Sequence, residues 1–525
     1  MKSFYKFLSS RQEYGETLDA SRKPVFRSLA IFPIIRNDYY KSSILFLGYW
    51  LIKRNISEIN LLMTLRNHDG KIIKRTSLLI DSPKSYCIEI DSFLKNTIYE
   101  NSDFTGSIEL EIFSTRDMVF PYPAFVLNYY GQNFNTCVHT LGRIYNDFED
   151  QRENESFKVP ESGFDINASK DFDPFLSFVN GPEENSNPEI KYSVTNLNSE
   201  KLIGSFNLNS IKPYETVFIK IKDKIPDLET FLQNNTGSIS LEHNFRGFFP
   251  RFLAGNIQKS FPSLSFTHTY YDCSSCSATS DYWNRSNEQF HDCSVYVPIF
   301  INKNEYTELV IYPNISPSVF DIHITLHDSN GKELHKLTSF LHVYSTDSKL
   351  MKIDFKEIIS NLKLDVSSVK SAHLISEFKD KIPSRQKFGL NVGLENCISK
   401  LPCNICFNSK VGNPFLENKP GSFHWCPLFN DDHSVISIGN FSPKKNYNKP
   451  ANITLKFYNH LQSIIEKKII LEPFGEFRLY SSDPLLENFF QNEPIWVTIE
   501  ADNPNIQGFY FNFHKSGSVA GDHFF

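Results

Sequence analysis

A strand–turn–strand pattern that recurs along the chain restricts the fold more than any other feature of the sequence. TLRNHDGKIIKRTS begins at Thr64 and TLHDSNGKELHKLT begins at Thr325, so Thr, Leu, Gly and Lys coincide without a gap at an offset of 261. Weaker copies lie at 189–208 and from Ile453 onwards. Asp-Gly between two runs of β-branched and aromatic residues is a strong hairpin signal, so the pattern predicts paired strands that repeat.

An aromatic-rich strand followed by an isolated histidine also recurs, and it closes each predicted repeat. The four histidines are His139, His268, His424 and His523. At about 100–200 residues per domain, a chain of 525 residues holds several cores. Short runs with turn signals every ~8–12 residues are typical of β-sandwiches of immunoglobulin-like size. The sequence therefore predicts an all-β chain of four tandem β-sandwich units with long loops.

The predicted boundaries follow the repeats and the polar stretches between them. We expect a lead-in at 1–26, the first unit at 27–150, a linker at 151–171, the second unit at 172–275, a linker loop at 276–292, the third unit at 293–430 and the fourth at 431–525. The third unit carries a cysteine-containing insertion at 395–421. The first linker is predicted because it is polar and has almost no aliphatic residues.

Charge and hydropathy exclude several kinds of partner. The net charge is −6 and there is no run of five or more Lys or Arg, which disfavours a nucleic-acid partner. The longest apolar run near the N-terminus, 44–52, is too short to span a membrane, and no secretory signal precedes it. Nine cysteines spread through a long chain indicate free thiols in a reducing compartment. We expect a cytoplasmic protein without a membrane span.

Motifs of the common enzyme classes are missing from the sequence. There is no GxGxxG, no GxxxxGK[ST], no GxSxG and no HExxH. Dinucleotide, P-loop, serine-hydrolase and zincin chemistry therefore have no motif behind them. A repeated β architecture without such motifs favours a binding or scaffold protein, although a fold does not fix a function.

The four closing histidines form the first candidate site. If the four units pack around a common axis, equivalent loops converge and bring His139, His268, His424 and His523 together. Neutral imidazoles are good ligands for a transition metal such as iron or zinc. The alternative is that each histidine caps its own sandwich by hydrogen bonding to a backbone carbonyl.

A polar cluster next to two of these histidines is the candidate ligand-binding site. Arginine, tyrosine and carboxylates are suited to gripping sugar hydroxyls or a carboxylated ligand. The alternative is an exposed turn whose charges face water. The candidate residues are Arg143, Tyr145, Asn146 and Asp147 after His139, and Tyr270, Tyr271 and Asp272 after His268.

Cysteine spacing gives a second candidate metal site. Cys403 and Cys406 form a Cys-x2-Cys pair that follows Cys397, and His424 with Cys426 lies beyond the insertion. Two such pairs can supply the four corners of a tetrahedral zinc site. Free thiols in loops are the alternative.

Two functions from different classes follow from these candidates. The first is a non-catalytic binding or scaffold protein that recognises a glycan or a protein partner, with cell-surface polysaccharide assembly as one context. Its aromatic contacts would be Tyr129, Tyr130, Tyr145, Tyr270, Tyr271, Tyr282 and Trp283. The second is a metal-dependent enzyme that uses the closing histidines, with Asp147 or Asp272 as a base. An enzyme needs the loops within one site, whereas tandem binding needs them separate and exposed.

Overall fold

The computed structural model describes most of the chain. The described residues are 26–116, 118, 123–139, 142–144, 161–249, 251–271, 282–284, 288–302, 304–313, 316, 318–344, 349–383, 386–431 and 433–525. The predicted lead-in therefore lies outside the described residues, except for its last residue.

Module 1 consists of the first eight strands. They are β1 (Phe26–Arg36), β2 (Lys41–Leu47), β3 (Ile59–Asn67), β4 (Ile72–Ile80), β5 (Ser85–Glu89), β6 (Phe104–Ser114), β7 (Val126–Tyr130) and β8 (Asn135–His139). They form two antiparallel sheets with the orders β1-β6-β3-β4 and β5-β2-β7-β8. The short helices α1 (Tyr49–Lys53) and α2 (Ile90–Leu94) follow β2 and β5.

Module 2 follows a short strand, β9 (Arg143–Ile144). Its strands are β10 (Glu161–Asn167), β11 (Phe172–Val179), β12 (Glu189–Asn196), β13 (Lys201–Asn207), β14 (Thr216–Lys220), β15 (Thr236–His243), β16 (Phe248–Phe249), β17 (Leu253–Gln258), β18 (Ser263–His268) and β19 (Tyr270–Tyr271). The sheet orders are β13-β12-β15-β10-β19 and β14-β11-β17-β18, and β16 pairs with β9. Helices α3 (Ile221–Lys224) and α4 (Leu228–Phe231) lie between β14 and β15.

Module 3 has the same plan. Its strands are β20 (Tyr282–Asn284), β21 (Cys293–Pro298), β22 (Glu305–Ile311), β23 (Phe320–His327), β24 (Glu333–Val343), β25 (Met351–Asp354), β26 (Ser371–Phe378), β27 (Lys381–Pro383), β28 (Lys387–Leu394), β29 (Cys403–Asn408) and β30 (Lys410–Val411). The sheet orders are β24-β23-β26-β21-β30 and β25-β22-β28-β29, and β20 pairs with β27. Helix α5 (Phe355–Asn361) follows β25, and α6 (Pro414–Glu417) follows β30.

Module 4 completes the described chain. Its strands are β31 (Ser422–Leu428), β32 (Ser434–Asn440), β33 (Ala451–Tyr458), β34 (Ile464–Leu471), β35 (Glu476–Tyr480), β36 (Ile495–Ala501), β37 (Ile506–Phe513) and β38 (Val519–His523). The sheet orders are β31-β36-β33-β34 and β35-β32-β37-β38. A single 3-10 turn (Pro484–Leu486) lies between β35 and β36.

One strand order recurs in all four segments. If the eight main strands of each module are lettered A to H along the chain, one sheet has the order A-F-C-D and the other E-B-G-H. We call these the outer and inner sheets. Strands such as β23 and β33 alternate buried and part-exposed residues, because one face of each sheet packs into a core. The predicted all-β, sandwich-like class is confirmed.

The modules close into a ring through inter-module backbone hydrogen bonds at three junctions and through contacts between β18 and β29 at the junction of modules 2 and 3. At three junctions the first residue of strand E donates its N–H to a carbonyl in the C–D turn of the preceding module. These bonds run from Thr216 to His68 (3.0 Å), from Glu476 to Ser329 (3.0 Å) and from Ser85 to Asn459 (3.2 Å). The last bond joins module 4 to module 1. Head-to-tail contacts of one kind close into a ring when the rotation between neighbours allows it.

The four H strands meet at the centre of this ring. Strand β8 contacts β18 and β38, and β29 contacts the same two strands. Each H strand is the edge of its inner sheet. An exposed edge carries unpaired backbone groups, and here each edge is covered by its neighbours. Residues at the ends of these strands are thereby brought to a common axis.

Three predicted boundaries differ from the observed elements. The linker predicted at 151–171 contains β10, which lies inside the outer sheet of module 2. The insertion predicted at 395–421 contains β29, the last main strand of module 3. The boundary predicted at 430/431 falls after β31, whose sheet partner is β36 of module 4. Strands β10 and β29 lie in stretches whose polar or cysteine-rich composition masked their pattern, whereas β31 resembles a closing strand in sequence.

None of the helices in the described ranges is long and apolar enough to cross a lipid bilayer. The longest described helix, α5, has seven residues.

Candidate metal centre at the axis

Three of the four predicted closing histidines lie together at the axis. His139 ends β8, His268 ends β18 and His523 ends β38. The ring centroid of His139 is 4.7 Å from that of His268 and 4.5 Å from that of His523. These residues are far apart in the sequence, and the contacts between H strands bring them together.

Asp522 completes this cluster, and sequence reasoning missed it. Its Oδ2 accepts hydrogen bonds from the backbone N–H and from the Nδ1–H of His139, both at 2.8 Å. Its Oδ1 accepts from the backbone N–H of His523 at 2.8 Å. Its position directly before the closing histidine, in GDHFF, is the signal from which it could have been found.

Hydrogen bonds fix the imidazole tautomers. Nδ1 of His268 lies 2.9 Å from the carbonyl oxygen of Thr269, and Nδ1 of His523 lies 2.8 Å from that of Phe524. A carbonyl can only accept, so each Nδ1 carries the proton and donates it. In the neutral form of either ring the lone pair is then on Nε2. Metal-binding histidines are usually held in this way by a carbonyl or carboxylate at the other nitrogen.

Burial determines the charges in the cluster. Burial lowers the pKa of His139 to about 4, against the opposing attraction of the Asp522 carboxylate. Burial also lowers the pKa of His268 well below its usual value, and the nearby Arg251 guanidinium acts in the same direction. For Asp522 burial alone would raise the pKa, but the adjacent His139 outweighs it and the pKa is lowered. The His139 and His268 rings are thus neutral at neutral pH, beside the ionised Asp522 carboxylate.

The donor set matches the requirements of a transition-metal ion. One candidate ligand atom from each of His139, Asp522 and His523 lies within 4.8 Å of the other two. In the part of the chain that the structure describes, this is the only group of three or more His, Cys, Asp or Glu residues with such spacing. Imidazole nitrogens with a carboxylate oxygen are suited to zinc or iron.

His424 does not close module 3 as the sequence pattern predicted. It lies in β31, the first strand of module 4, and its Nδ1 donates to the carbonyl oxygen of Phe525 at 3.1 Å. Module 3 instead ends its closing hairpin with β29, which carries Asn408 at its end. PGSFHWC resembles the closing pattern in sequence, but its strand pairs with β36.

The predicted cysteine site is not assembled in the structure. Cys403 and Cys406 lie three residues apart on β29, so their side chains leave opposite faces of the strand. Cys426 is fully buried in the apolar core that modules 1 and 4 share. All three are free thiols, and burial raises the pKa of each. They are core residues of low reactivity.

The predicted polar cluster lies largely outside the described residues. This holds for Tyr145, Asn146, Asp147 and Asp272. The backbone of Arg143 pairs with Phe249, and the backbones of Tyr270 and Tyr271 pair with β10. The side chains of these three residues are not described.

Comparison of the chain with models of known protein families and with characterised proteins finds no match.

Proposed function

We propose that this protein is a metal-dependent enzyme whose ring of β-sandwich modules positions one transition-metal ion at the axis. The observation that supports it is the convergence of His139 from module 1 with His523 and Asp522 from module 4. Convergence is what distinguishes this function from tandem binding, in which the equivalent loops would stay separate.

The ligand count favours a catalytic over a structural metal. Structural zinc sites are closed by four protein ligands, whereas catalytic sites keep a position open for water or substrate. His139, His523 and Asp522 supply three donors, and two histidines with one carboxylate are also the set used by non-haem iron enzymes. When bound, the ion would supply Lewis-acid chemistry at that open position.

The residues of this chain would do the positioning. Asp522 orients the His139 imidazole through Nδ1, and the Phe524 carbonyl orients His523. These contacts hold both imidazoles in place without a metal. The packing of the four H strands therefore preorganises the site. The scaffold and glycan-binding hypothesis stays a prediction, since the side chains of most of its proposed residues are not described; Tyr129, which is described, is buried.

Metal content of the purified full chain tests the proposal. Elemental mass spectrometry should find about one zinc or iron per chain, and cobalt(II) added to chelator-treated protein should give d–d absorption bands. His523→Ala should weaken metal binding by more than about tenfold, because a direct ligand matters at least as much as an orienting partner. The control is His342→Ala, which removes a half-exposed histidine on β24.

Asp522→Asn provides a second variant of similar shape. It should reduce cobalt binding while thermal unfolding of the metal-free protein shows that the ring is folded. Metal content and cobalt spectra that are unchanged in both His523→Ala and Asp522→Asn would overturn the proposal. Absence of cobalt binding to the chelator-treated wild type would do so as well.

A further inference from the structure

The junction between modules 2 and 3 differs in chemistry from the other three. Module 3 meets module 4 through stacked Tyr296 and Phe441, and module 4 meets module 1 through stacked Trp425 and Tyr49. Module 1 contributes two residues of β1, at 29 and 31, to the apolar core of module 2. Among the described residues, no such cluster joins the outer sheet of module 2 to module 3.

Strand β10 explains the difference. It directs Phe164 and Ile166 into the core of module 2, so the alternate residues Asp165 and Asn167 face outward. Asp165 Oδ2 accepts a hydrogen bond from Asn391 Nδ2 of module 3 at 2.9 Å. The modules therefore touch here through polar side chains.

A cavity of about 260 Å³ lies between the two modules at this place. Carboxylates, amides and the ammonium groups of two lysines line it, with the Tyr306 side chain beside them. This volume is slightly below the range of about 300–1,000 Å³ that is usual for drug-sized ligands. It suits a molecule with one small ring. The polar lining includes Asp165, Asn256, Glu308, Lys352, Asp354 and Asn391.

Two acceptor atoms in the cavity lining have no hydrogen-bond partner among the described residues. Asn391 forms a hydrogen bond at each end of its amide, since its Nδ2 donates to Asp165 and its Oδ1 accepts from Asn404 Nδ2 at 2.7 Å. By contrast, Asp165 Oδ1 and Asn167 Oδ1, on two residues of the cavity lining, are buried and have no partner in the described part of the chain. Buried polar atoms are normally satisfied, so these two acceptors are candidates for donors from another molecule.

We propose that this cavity binds a neutral, polyhydroxylated ligand of monosaccharide size. Hydroxyl groups both donate and accept, so they match a lining that offers unpaired acceptors together with the Lys352 ammonium. A neutral ligand is favoured because lining charges are already compensated within the protein: Glu308 pairs with Lys352 at 3.5 Å and Glu395 with Lys356 at 2.5 Å. The ring of Tyr306 supplies an apolar surface of the kind that packs against a sugar face.

Ligand-observed NMR on the full-length protein tests this site with D-glucose, D-galactose and D-mannose as separate probes. At least one should receive saturation from the protein, and competition should show a single class of site. Asn167→Ala and Asp165→Ala should each weaken that binding at least tenfold. The control is Asp365→Asn, because Asp365 is exposed in the loop after α5.

Two further measurements keep the test decisive. Lys400→Ala changes an exposed residue of the cavity rim and should weaken binding without affecting folding. Axial metal content should be unchanged in all three cavity variants, which separates this proposal from the axial one. Loss of saturation for every sugar in the wild type, or binding unaffected by all three variants, would overturn the proposal.

Discussion

The junction between modules 1 and 2 and the junction between modules 3 and 4 share one backbone arrangement but differ in side-chain chemistry. In both, the C–D turn of one module docks on the loop before strand E of the next. Thr64 pairs with Glu109 as Thr325 pairs with His373, so the two sets of positions correspond. The backbone contacts are constant, and the side chains that surround them are not.

At the first of these junctions the corresponding side chains are charged. Arg66 Nη2 donates to Glu109 Oε2 at 3.0 Å, and both side chains are buried. The Arg66 guanidinium carbon lies 4.0 Å from the centroid of the Tyr214 ring. A buried ion pair with a cation–π contact therefore fills the space between modules 1 and 2.

At the second junction the same two positions hold histidines. The His327 ring stacks on Phe474 at 5.2 Å, and the His373 ring lies 5.3 Å from Phe474. Nε2 of each histidine is buried without a hydrogen-bond partner among the described residues. Burial lowers the pKa of both rings, so neutral imidazoles replace the ion pair. The same docking geometry thus accommodates either a buried ion pair or neutral histidines. The two junctions should therefore open under different conditions.

The largest difference should follow from removing one partner at each junction. Glu109→Ala leaves Arg66 charged, buried and unpaired, which costs about 3–5 kcal/mol in the free energy of unfolding. His373→Ala at the corresponding position removes packing but also an unsatisfied nitrogen, so it should cost less. Chemical denaturation of the two variants checks the order. Equal losses in the free energy of unfolding would show that the ion pair contributes no more to stability than the buried histidine does.

Glycine in the C–D turn tests the shared backbone contact. Gly331 has φ +83, and a Cβ there would meet the carbonyl oxygen of Pro473 at 2.0 Å. Gly331→Ala combines backbone strain of about 1–3 kcal/mol with this collision, so the junction must open. Gly247→Ala is the matched control, since Gly247 has φ +86 but more space around its added Cβ.

Gly331→Ala should therefore destabilise the protein by about 2 kcal/mol more than Gly247→Ala does, with strain common to both. Gly70→Ala should behave like Gly331→Ala, because a Cβ on Gly70 would meet the carbonyl oxygen of Pro213 at 2.3 Å. Thermal unfolding of the three variants measures this. If Gly331→Ala and Gly247→Ala unfold at the same temperature, the C–D turn does not determine how one module docks on the next.

The repeat of hairpins was predictable from sequence because local signals encode it. The matched stretches at Thr64 and Thr325 form β3–β4 and β23–β24, and the weaker copies form β12–β13 and β33–β34. In each of these hairpins alternating apolar residues and turn residues act together. Strand β10 was missed because ESGFDIN places glycine and charge within a polar stretch.

Convergence at the axis could be raised as a hypothesis but not decided. Ring closure depends on bonds such as Ser85 N–H to Asn459 O, which any residue type can make. The spacing of residues in the sequence does not predict such a backbone contact between modules. His424 was assigned to the wrong module for a related reason, since its neighbours resemble a closing strand while its pairing partner lies in β36.

Acidification should have the smallest effect, which is to open the junction between modules 3 and 4 more readily than the junction between modules 1 and 2. His327 Nδ1 donates to the Gly331 carbonyl oxygen at 3.2 Å, and burial depresses the pKa of the ring, although Glu333 and Asp328 act in the opposite direction. Burial depresses the pKa of His373 too, and the neighbouring His327 and His291 add to the effect. Both rings are therefore neutral in the folded junction at neutral pH.

Proton linkage determines whether the stability of this junction rises or falls with pH. An unfolded or opened segment binds a proton below pH ~6.5, whereas the closed junction does not until well below that value. Stability from these two histidines is thus fully present above pH ~6.5 and is lost as the pH falls towards their folded pKa values. Each histidine can contribute up to about a tenfold change in local opening per pH unit in this range.

Hydrogen exchange read by mass spectrometry separates this local effect from the other histidines of the chain. Between pH 7.5 and 5.5, after correction for the intrinsic exchange rate, protection should fall at 327–332 and 473–476 and stay nearly constant at 66–71 and 213–216. His327→Gln should flatten the response of the first pair of segments. If all four segments lose protection in parallel, the two junctions respond as one unit, and the chemical difference between them has no consequence for how the ring opens.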